Sequence, residues 1–166
     1  MIARAHPQFA LRPFLIEDTP LLAEIFRASI AELAADDYSE SQQAAWASGA
    51  DDEEEFARRL GGQLTLIATT DGSPVGFASL ANNETIDLIY VHPAAAGQGA
   101  GTMLVDALEK LSVARGAKRL TADVSDTAEE FFKKRGFIPQ QRNTVLRGGE
   151  WLANTTMDKQ TGKDKA

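Results

Sequence analysis

This 166-residue chain contains no cysteine, which excludes a disulfide framework, a thiol nucleophile and a cysteine-ligated metal. It also lacks an apolar run long enough to cross a bilayer and a basic-then-apolar signal pattern, so we expect a cytoplasmic protein without membrane contact. Basic residues are few, since 17 Lys and Arg stand against 24 Asp and Glu, for a net charge of −7. That charge disfavours a duplex nucleic-acid binder and mildly favours a cationic partner such as an amine.

The hydrophobic content is 43%, which suffices for one buried core in a chain of this length. We expect a single domain over residues 1–158, followed by a polar and disordered tail over residues 159–166. The sequence does not fix the oligomeric state, and a homodimer stays open.

Apolar periodicity predicts strands and helices along the whole chain. The predicted strands are 9–16, 63–70, 74–81, 84–92, 119–125, 137–146 and 151–157. The predicted helical segments are 22–33, 39–48, 51–60, a long helix from the glycines to about 116, and a short one from 126 to about 135. This pattern alone predicts only an α+β or mixed α/β fold.

A glycine-rich turn at residues 96–101 joins a predicted strand to the long helix. The strand is apolar except for Asp87, and the helix begins at Gly97, Gly99 and Gly101. A helix N-terminus presents unpaired N–H groups and the positive end of the helix dipole, and glycine has no Cβ to keep a phosphate away. The turn is therefore a candidate anion-binding site. The alternative is that the glycines only let the helix pack closely on the strand.

Two segments resemble the signature motifs of the GNAT superfamily of N-acetyltransferases. The first is Ala96-Gly97-Gln98-Gly99-Ala100-Gly101, and the second lies within residues 123–137, where 128–137 fit the pattern A-x-x-F-[YF]-x-x-x-G-F. The resemblance extends over about residues 9–157. The glycines fit neither a Walker motif, because no Lys-Ser or Lys-Thr follows, nor the spacing of a Rossmann fingerprint.

The resemblance implies a mixed α/β (α+β) fold whose central sheet has seven strands, is mostly antiparallel, is splayed at strands 4 and 5, and is flanked by helices. It also implies acetyl-CoA as co-substrate, with its pyrophosphate on the glycine-rich turn. The implied cofactor-binding residues are Tyr90, Val91, Ala96, Gly97, Gln98, Gly99, Ala100, Gly101, Thr102, Ser125 and Phe132.

The chain departs from the superfamily's motifs at three of these positions. Ala96 stands where an Arg or Gln usually begins the pyrophosphate motif, so one phosphate contact is missing. Phe132 stands where a Tyr often acts as general acid. Either Tyr90 or Ser125 protonates the departing sulfur instead, or the thiolate leaves without a proton donor. Ser125 replaces a cofactor-binding Asn of many members, and a helix-capping hydroxyl is its alternative role.

In the superfamily an amine attacks the thioester directly in a ternary complex. The donor that polarises the carbonyl is usually a backbone N–H on the strand before the glycines, which corresponds to Val91. Asp87 lies at an offset where members often carry a carboxylate, and we expect a raised pKa suited to a general base. Its alternatives are binding of the substrate ammonium group and a structural hydrogen bond. Strict alternation puts Asp87, Ile89 and Val91 on one face of the strand and Ile86, Leu88 and Tyr90 on the other.

Residues 38–46 and 151–157 resemble a bacterial GNAT subgroup that pairs Y-S-x-x-Q-x-x-A-W with W-x-x-N-x-x-M. The resemblance implies that Tyr38, Trp46 and Asn154 bind the substrate. A place in the core is the alternative for Trp46, and a hydrogen bond to a neighbouring loop is the alternative for Asn154.

The sequence therefore predicts an acetyl-CoA-dependent N-acetyltransferase acting on a primary amine of a small molecule or a protein, with no metal. The alternative from another class is a non-catalytic acyl-CoA-binding or sensor module. Ala96 and Phe132 are the features that keep the second alternative open.

Overall fold

Residues 8–162, the part of the chain that the computed structural model describes, form seven strands and five α-helices. The strands are β1 (Ala10–Pro13), β2 (Leu64–Thr70), β3 (Ser73–Ala81), β4 (Thr85–Val91), β5 (Arg119–Ser125), β6 (Ile138–Arg147) and β7 (Glu150–Gln160). The helices are α1 (Thr19–Leu33), α2 (Glu40–Ala47), α3 (Glu53–Gly61), α4 (Ala100–Ala114) and α5 (Glu129–Lys134). Within these residues no helix is long and apolar enough to span a membrane.

All seven strands join one sheet in the order β1-β2-β3-β4-β5-β7-β6. Neighbouring strands are antiparallel except β4 and β5, which are parallel and pair only at Thr85–Thr121 and Ile86–Ala122. On its other side β5 pairs with β7 along its full length, from Arg119 to Ser125. The predicted mixed α/β fold, with a mostly antiparallel seven-stranded sheet splayed at strands 4 and 5, is confirmed.

Helices cover both faces of the sheet and bury a separate apolar cluster on each. The α4 core holds α4 against the sheet and includes Leu80, Ile86, Leu104, Val105, Leu108, Leu120, Val124, Phe132 and Met157. The α1 core holds α1 and α3 against the opposite face and includes Leu22, Phe26, Ile30, Phe56, Leu60, Ile67, Phe77 and Leu88. Burial on both faces explains why β4 reads as an almost continuous apolar run.

The prediction that the chain is disordered from residue 159 onward is wrong for residues 159–162. Strand β7 continues through Gln160, which pairs with Arg119, and the Thr161 N–H donates to the Lys118 carbonyl at 2.9 Å. A polar sequence does not prevent strand formation where a neighbouring strand offers free backbone groups, and β5 does so here. Residues 163–166 of the predicted tail lie outside the described residues.

A β-bulge in β4 overturns the predicted alternation of its side chains. Ser79 pairs with Leu88 and Leu80 pairs with Ile86, so Asp87 is the extra residue of the bulge. Ile86 therefore packs in the α4 core together with Ile89 and Val91, whereas Leu88 and Tyr90 pack in the α1 core. Asp87 turns toward α3 on the α1 side, not to the side of Ile89.

Candidate functional site

A cleft of about 960 Å³ opens where β4 and β5 separate. It is bordered by β4, the glycine-rich turn, β5 and α5, and on the other side by α1, α2 and the β6–β7 hairpin. The predicted site residues that line it are Tyr38, Trp46, Asp87, Tyr90, Val91, Ala96, Gly97, Gln98, Gly99, Gly101, Thr102, Ser125, Phe132 and Asn154. Ala100 is instead buried in the α4 core.

The three glycines of the turn have different environments. Gly97 and Gly99 adopt φ values of +76° and +101°, a region that glycine enters without steric cost. A Cβ at either position would meet no atom within 4 Å, whereas a Cβ at Gly101 would lie 3.4 Å from the Phe131 ring. Two glycines thus shape an open turn before α4, and the third lets α4 approach α5.

The backbone of Val91 faces the gap between the parallel strands. The His92 N–H donates to the Val75 carbonyl at 2.8 Å, and Val91 is paired with Gly76. Successive residues of an antiparallel strand direct their N–H groups to opposite sides. The N–H of Val91 therefore points away from β3 and into the cleft, where a carbonyl oxygen can accept from it.

Asp87 is held as an ionised carboxylate. Arg59 of α3 donates from Nε at 2.8 Å and from Nη2 at 2.9 Å, and Gln63 Nε2 donates at 2.9 Å. Burial alone raises the pKa of Asp87, but the hydrogen bonds from Arg59 and Gln63 outweigh it, and the pKa is lowered. The expected raised pKa is therefore wrong, because the bulge turns this carboxylate onto a guanidinium.

We expect Asp87→Asn to reduce the free energy of unfolding by about 1 kcal/mol at pH 7, since Arg59 is partly exposed and its pairing is screened. Because the folded state lowers the pKa, this contribution is present above the unfolded value of about 3.9 and is lost as pH falls through the folded value. Urea unfolding of both proteins should show a difference that is constant from pH 5 to 8 and smaller below about pH 4. Asp106→Asn, on the exposed face of α4, is the matched control. A difference that persists unchanged in acid would contradict the ion-pair assignment.

Tyr90 and Trp46 meet on the α1 side of the cleft. Trp46 Nε1 donates to the Tyr90 hydroxyl oxygen at 3.1 Å, and burial raises the pKa of Tyr90 to about 12. The Tyr90 O–H proton has no acceptor among residues 8–162. Trp46 packs edge-on against Tyr90 and Tyr38, so its indole is both part of a buried cluster and part of the cleft wall.

Residues of the Y-S-x-x-Q-x-x-A-W segment, which includes most of α2, form hydrogen bonds to the β6–β7 hairpin. Ser39 and Gln42 form a capping box at the helix start, and Gln42 Nε2 also donates to the Trp151 carbonyl at 2.8 Å. The Tyr38 hydroxyl donates to the Ala153 carbonyl at 2.7 Å and accepts from the Asp126 N–H at 2.9 Å. Tyr38 thus lines the cleft, but its hydroxyl is engaged in holding β7 to the loop after β5.

A polar network follows β7 along the cleft. Asn143 Nδ2 donates to Asn154 Oδ1 at 2.9 Å and to the Thr156 hydroxyl at 2.8 Å. The Thr156 hydroxyl in turn donates to Asp123 Oδ1 at 2.6 Å. Asn154, predicted to bind the substrate or a loop, therefore uses its carbonyl oxygen within this network and keeps its amide N–H groups for other partners.

Phe132 is 2% exposed and packs edge-on against Phe131 and Phe137, at 5.4 and 5.0 Å between ring centroids. Its ring belongs to the α4 core, although its edge reaches the cleft.

Ser125 accepts a hydrogen bond from the Ala128 N–H at 3.2 Å. Because the N-cap residue of α5 is Ala128, which has no side-chain cap, this bond lies in the loop before the helix and the predicted helix-capping role of Ser125 is wrong.

Four residues near the site were not predicted from the sequence. Arg135 Nη1 donates to the Thr102 hydroxyl at 2.6 Å, in the first turn of α4. Arg59, Arg147 and Asp123 line the cleft. The sequence signal for Arg135 was its place directly before Gly136 of the second motif, whereas Arg59 and Arg147 lie in segments that read as exposed. Within residues 8–162 no cluster of His, Asp or Glu is placed to hold a metal ion.

Comparison with known proteins agrees with this geometry. The model of the acetyltransferase (GNAT) domain matches residues 34–160. The uncharacterized N-acetyltransferase YafP of Escherichia coli K12 is 30% identical over 147 residues, which cover 89% of this chain and 93% of YafP.

Solved structures are similar over nearly the whole chain. A GCN5-related N-acetyltransferase from Rhodopseudomonas palustris, also described as a class-II aminotransferase, is 61% identical with a TM-score of 0.92, over 95% of this chain and 99% of its own. The PaiA N-acetyltransferase of Thermoplasma acidophilum, solved with coenzyme A, is 22% identical with a TM-score of 0.76, over 92% and 99%. The chain therefore belongs to the GNAT superfamily of N-acetyltransferases.

Proposed function

We propose that this protein transfers the acetyl group of acetyl-CoA to a primary amine by direct attack in a ternary complex. The observation that carries this proposal is the continuity of the β4–β5 gap with an open turn of positive-φ glycines at the start of α4. The gap between β4 and β5 can admit the narrow pantetheine chain of acetyl-CoA. The N-terminus of α4 attracts the phosphates at the end of that chain.

The residues of the turn fit a pyrophosphate. The backbone at Gly97 and Gly99 borders open space, and the first N–H groups of α4 have no acceptor within the helix. Arg135 brings a guanidinium to Thr102 in the same turn, which supports phosphate binding where Ala96 offers no charge. The N–H groups of Gly97, Gly99 and Gly101 would hold the phosphates, with the side chains of Gln98 and Thr102 beside them.

When bound, acetyl-CoA supplies the thioester whose carbonyl carbon the amine attacks; the new C–N bond forms and the C–S bond breaks. The Val91 N–H is placed to donate to the carbonyl oxygen as negative charge develops there. Tyr90 is a poor acid for the departing sulfur, because a phenol with a pKa of about 12 does not readily protonate a thiolate whose pKa is about 8.5. Tyr90 is therefore not the donor, and we propose that the thiolate leaves unprotonated.

Asp87 is a weak candidate for the base, since its pKa is lowered by Arg59 and Gln63. We propose that it positions Arg59 and that water takes the amine proton. Asp87→Asn should then lower turnover less than about tenfold, whereas loss of a general base typically costs about a hundredfold or more.

Thiol release from acetyl-CoA with a panel of primary amines tests the proposal. We expect turnover of at least one amine and a product heavier by one acetyl group, identified by mass spectrometry. Residue 132 is a phenylalanine and supplies no phenol at that position, which favours a non-catalytic acyl-CoA-binding module as the second candidate. Tight acetyl-CoA binding by calorimetry with only slow hydrolysis across the panel would establish that second candidate instead.

A further inference from the structure

Four charged side chains line the cleft: Arg59, Asp87, Asp123 and Arg147. Arg59 and Asp87 neutralise each other through two hydrogen bonds. Asp123 accepts a hydrogen bond from Thr156, and it has no cationic partner among residues 8–162. The backbone of Arg147 pairs with Glu150 in the β6–β7 hairpin, but its guanidinium forms neither a hydrogen bond nor an ion pair in the described part of the chain. The cleft therefore keeps one cation and one anion for its ligands.

The position of Arg147 is fixed by the turn that follows it. A Cβ on Gly148 would lie 3.1 Å from the Ala45 carbonyl oxygen, so the β6–β7 turn is seated directly on α2. From there the positive charge of Arg147 reaches Asp87 and Tyr90: it adds a little to the lowering of the Asp87 pKa by Arg59 and Gln63, and it opposes only slightly the rise that burial causes in the pKa of Tyr90. Because Asp87 is already held by Arg59 and Gln63, the guanidinium of Arg147 stays available to an anion.

Tyr90 adds a second donor beside this charge. Its oxygen accepts from Trp46, and its own O–H is without an acceptor among the described residues. The surrounding wall is apolar and is formed by Phe26, Leu33, Trp46, Val145 and Leu152. A carboxylate between Arg147 and Tyr90 would be partly shielded from water, and charge-assisted hydrogen bonds are stronger there.

Asp123 is placed to receive the amine end of the same ligand. Its neighbour Ala122 pairs with Ile86 at the point where β4 and β5 separate, so Asp123 borders the gap that the Val91 N–H also faces. The Thr156 hydroxyl fixes one carboxylate oxygen and leaves the other free to accept from an ammonium group.

We infer that the acceptor is an amino acid with an apolar side chain. Its ammonium group is bound at Asp123, its carboxylate at Arg147 and Tyr90, and its side chain against Trp46 and Leu152. This inference rests on the proposed acetyl transfer, whose acceptor it specifies. A diamine would place a second cation near Arg147 without a free carboxylate to receive it, and is disfavoured.

The test compares leucine, methionine and phenylalanine with their amides and with the corresponding decarboxylated amines. Thiol release should give a kcat/KM for at least one amino acid that is more than about tenfold above its amide and its decarboxylated amine. Arg147→Gln should lower that kcat/KM at least about tenfold, mainly by raising KM. The kcat/KM of the amide should stay the same in this variant. Arg115→Gln removes the same charge from an exposed site outside the cleft, and should change neither.

A binding measurement keeps the inference separate from catalysis. In a Trp151→Phe background, which removes an indole that is 60% exposed, Trp46 alone reports on the cleft. The N-acetyl derivatives of the three amino acids should change its fluorescence on binding to the coenzyme A complex, and Arg147→Gln should weaken the binding at least about tenfold.

Binding that depends on Arg147, without turnover of any amine, would support the carboxylate site and reject acetyl transfer. Equal losses for amino acid and amide in Arg147→Gln would overturn the inference while acetyl transfer stands. Faster turnover of the decarboxylated amines, or N-acetyl derivatives that bind Arg147→Gln as tightly as the natural chain, would overturn it too.

Discussion

Replacing Gly99 by aspartate is expected to weaken acetyl-CoA binding by about a hundredfold or more. The new carboxylate would stand at the N-terminus of α4, where it would satisfy the unpaired N–H groups itself and repel the phosphates. A Cβ at this position would meet no protein atom within 4 Å, so a clash at the Cβ does not explain the loss. Calorimetric titration of the folded variant with acetyl-CoA measures the effect.

Gly99→Asn is the matched control, because asparagine has the size and shape of aspartate without its charge. Both variants share the strain of a φ near +101° at this position, which asparagine and aspartate tolerate better than most residues. We expect the asparagine variant to lose less than about tenfold in affinity. If a folded aspartate variant bound acetyl-CoA as tightly as the natural chain, the pyrophosphate would have to lie elsewhere.

Phe132→Ala is expected to lower the free energy of unfolding by about 3–5 kcal/mol, the usual cost of removing a buried aromatic ring. Phe132 is 2% exposed and lies between Phe131 and Phe137, so its loss leaves a cavity in the α4 core. Ile138→Ala, at a side chain that is 60% exposed, should cost less than about 1 kcal/mol. Chemical unfolding of the three proteins measures the difference.

Phe132→Tyr addresses the chemistry at the same position. We expect less than about a tenfold change in turnover of an accepted amine, because a thiolate departs readily near neutral pH without a proton donor. A large gain in rate would mean that the natural protein lacks a needed general acid, and would favour the acyl-CoA-binding module over the enzyme.

Local elements of this protein are determined by local sequence. Alternating apolar residues and flanking turn residues predict β5 at its observed bounds, 119–125, and the meander of β2, β3 and β4 to within two residues at each end. Three glycines, Gly97, Gly99 and Gly101, stand before an amphipathic run, and this pattern predicts the turn and the start of α4. These features depend on propensity and periodicity over a few residues, so one sequence suffices for them. The order of strands and their splay came from the motif resemblance, not from these patterns.

Long-range pairing decided the features that the sequence did not reveal. The bulge at Asp87 arises from the register of β3 against β4, and it turns the carboxylate toward Arg59, 28 residues earlier in the chain. The predicted raised pKa was wrong for this reason, because a pKa depends on which charges meet in space.

The extension of β7 through Gln160 depends likewise on free backbone groups of β5. The approach of Arg147 to the cleft depends on a turn seated on α2. Sequence alone thus determined the local elements and, through its two motifs, the family. Tertiary structure decided which charged side chains face the cleft, because register, bulges and helix packing are set by contacts between segments far apart in the chain.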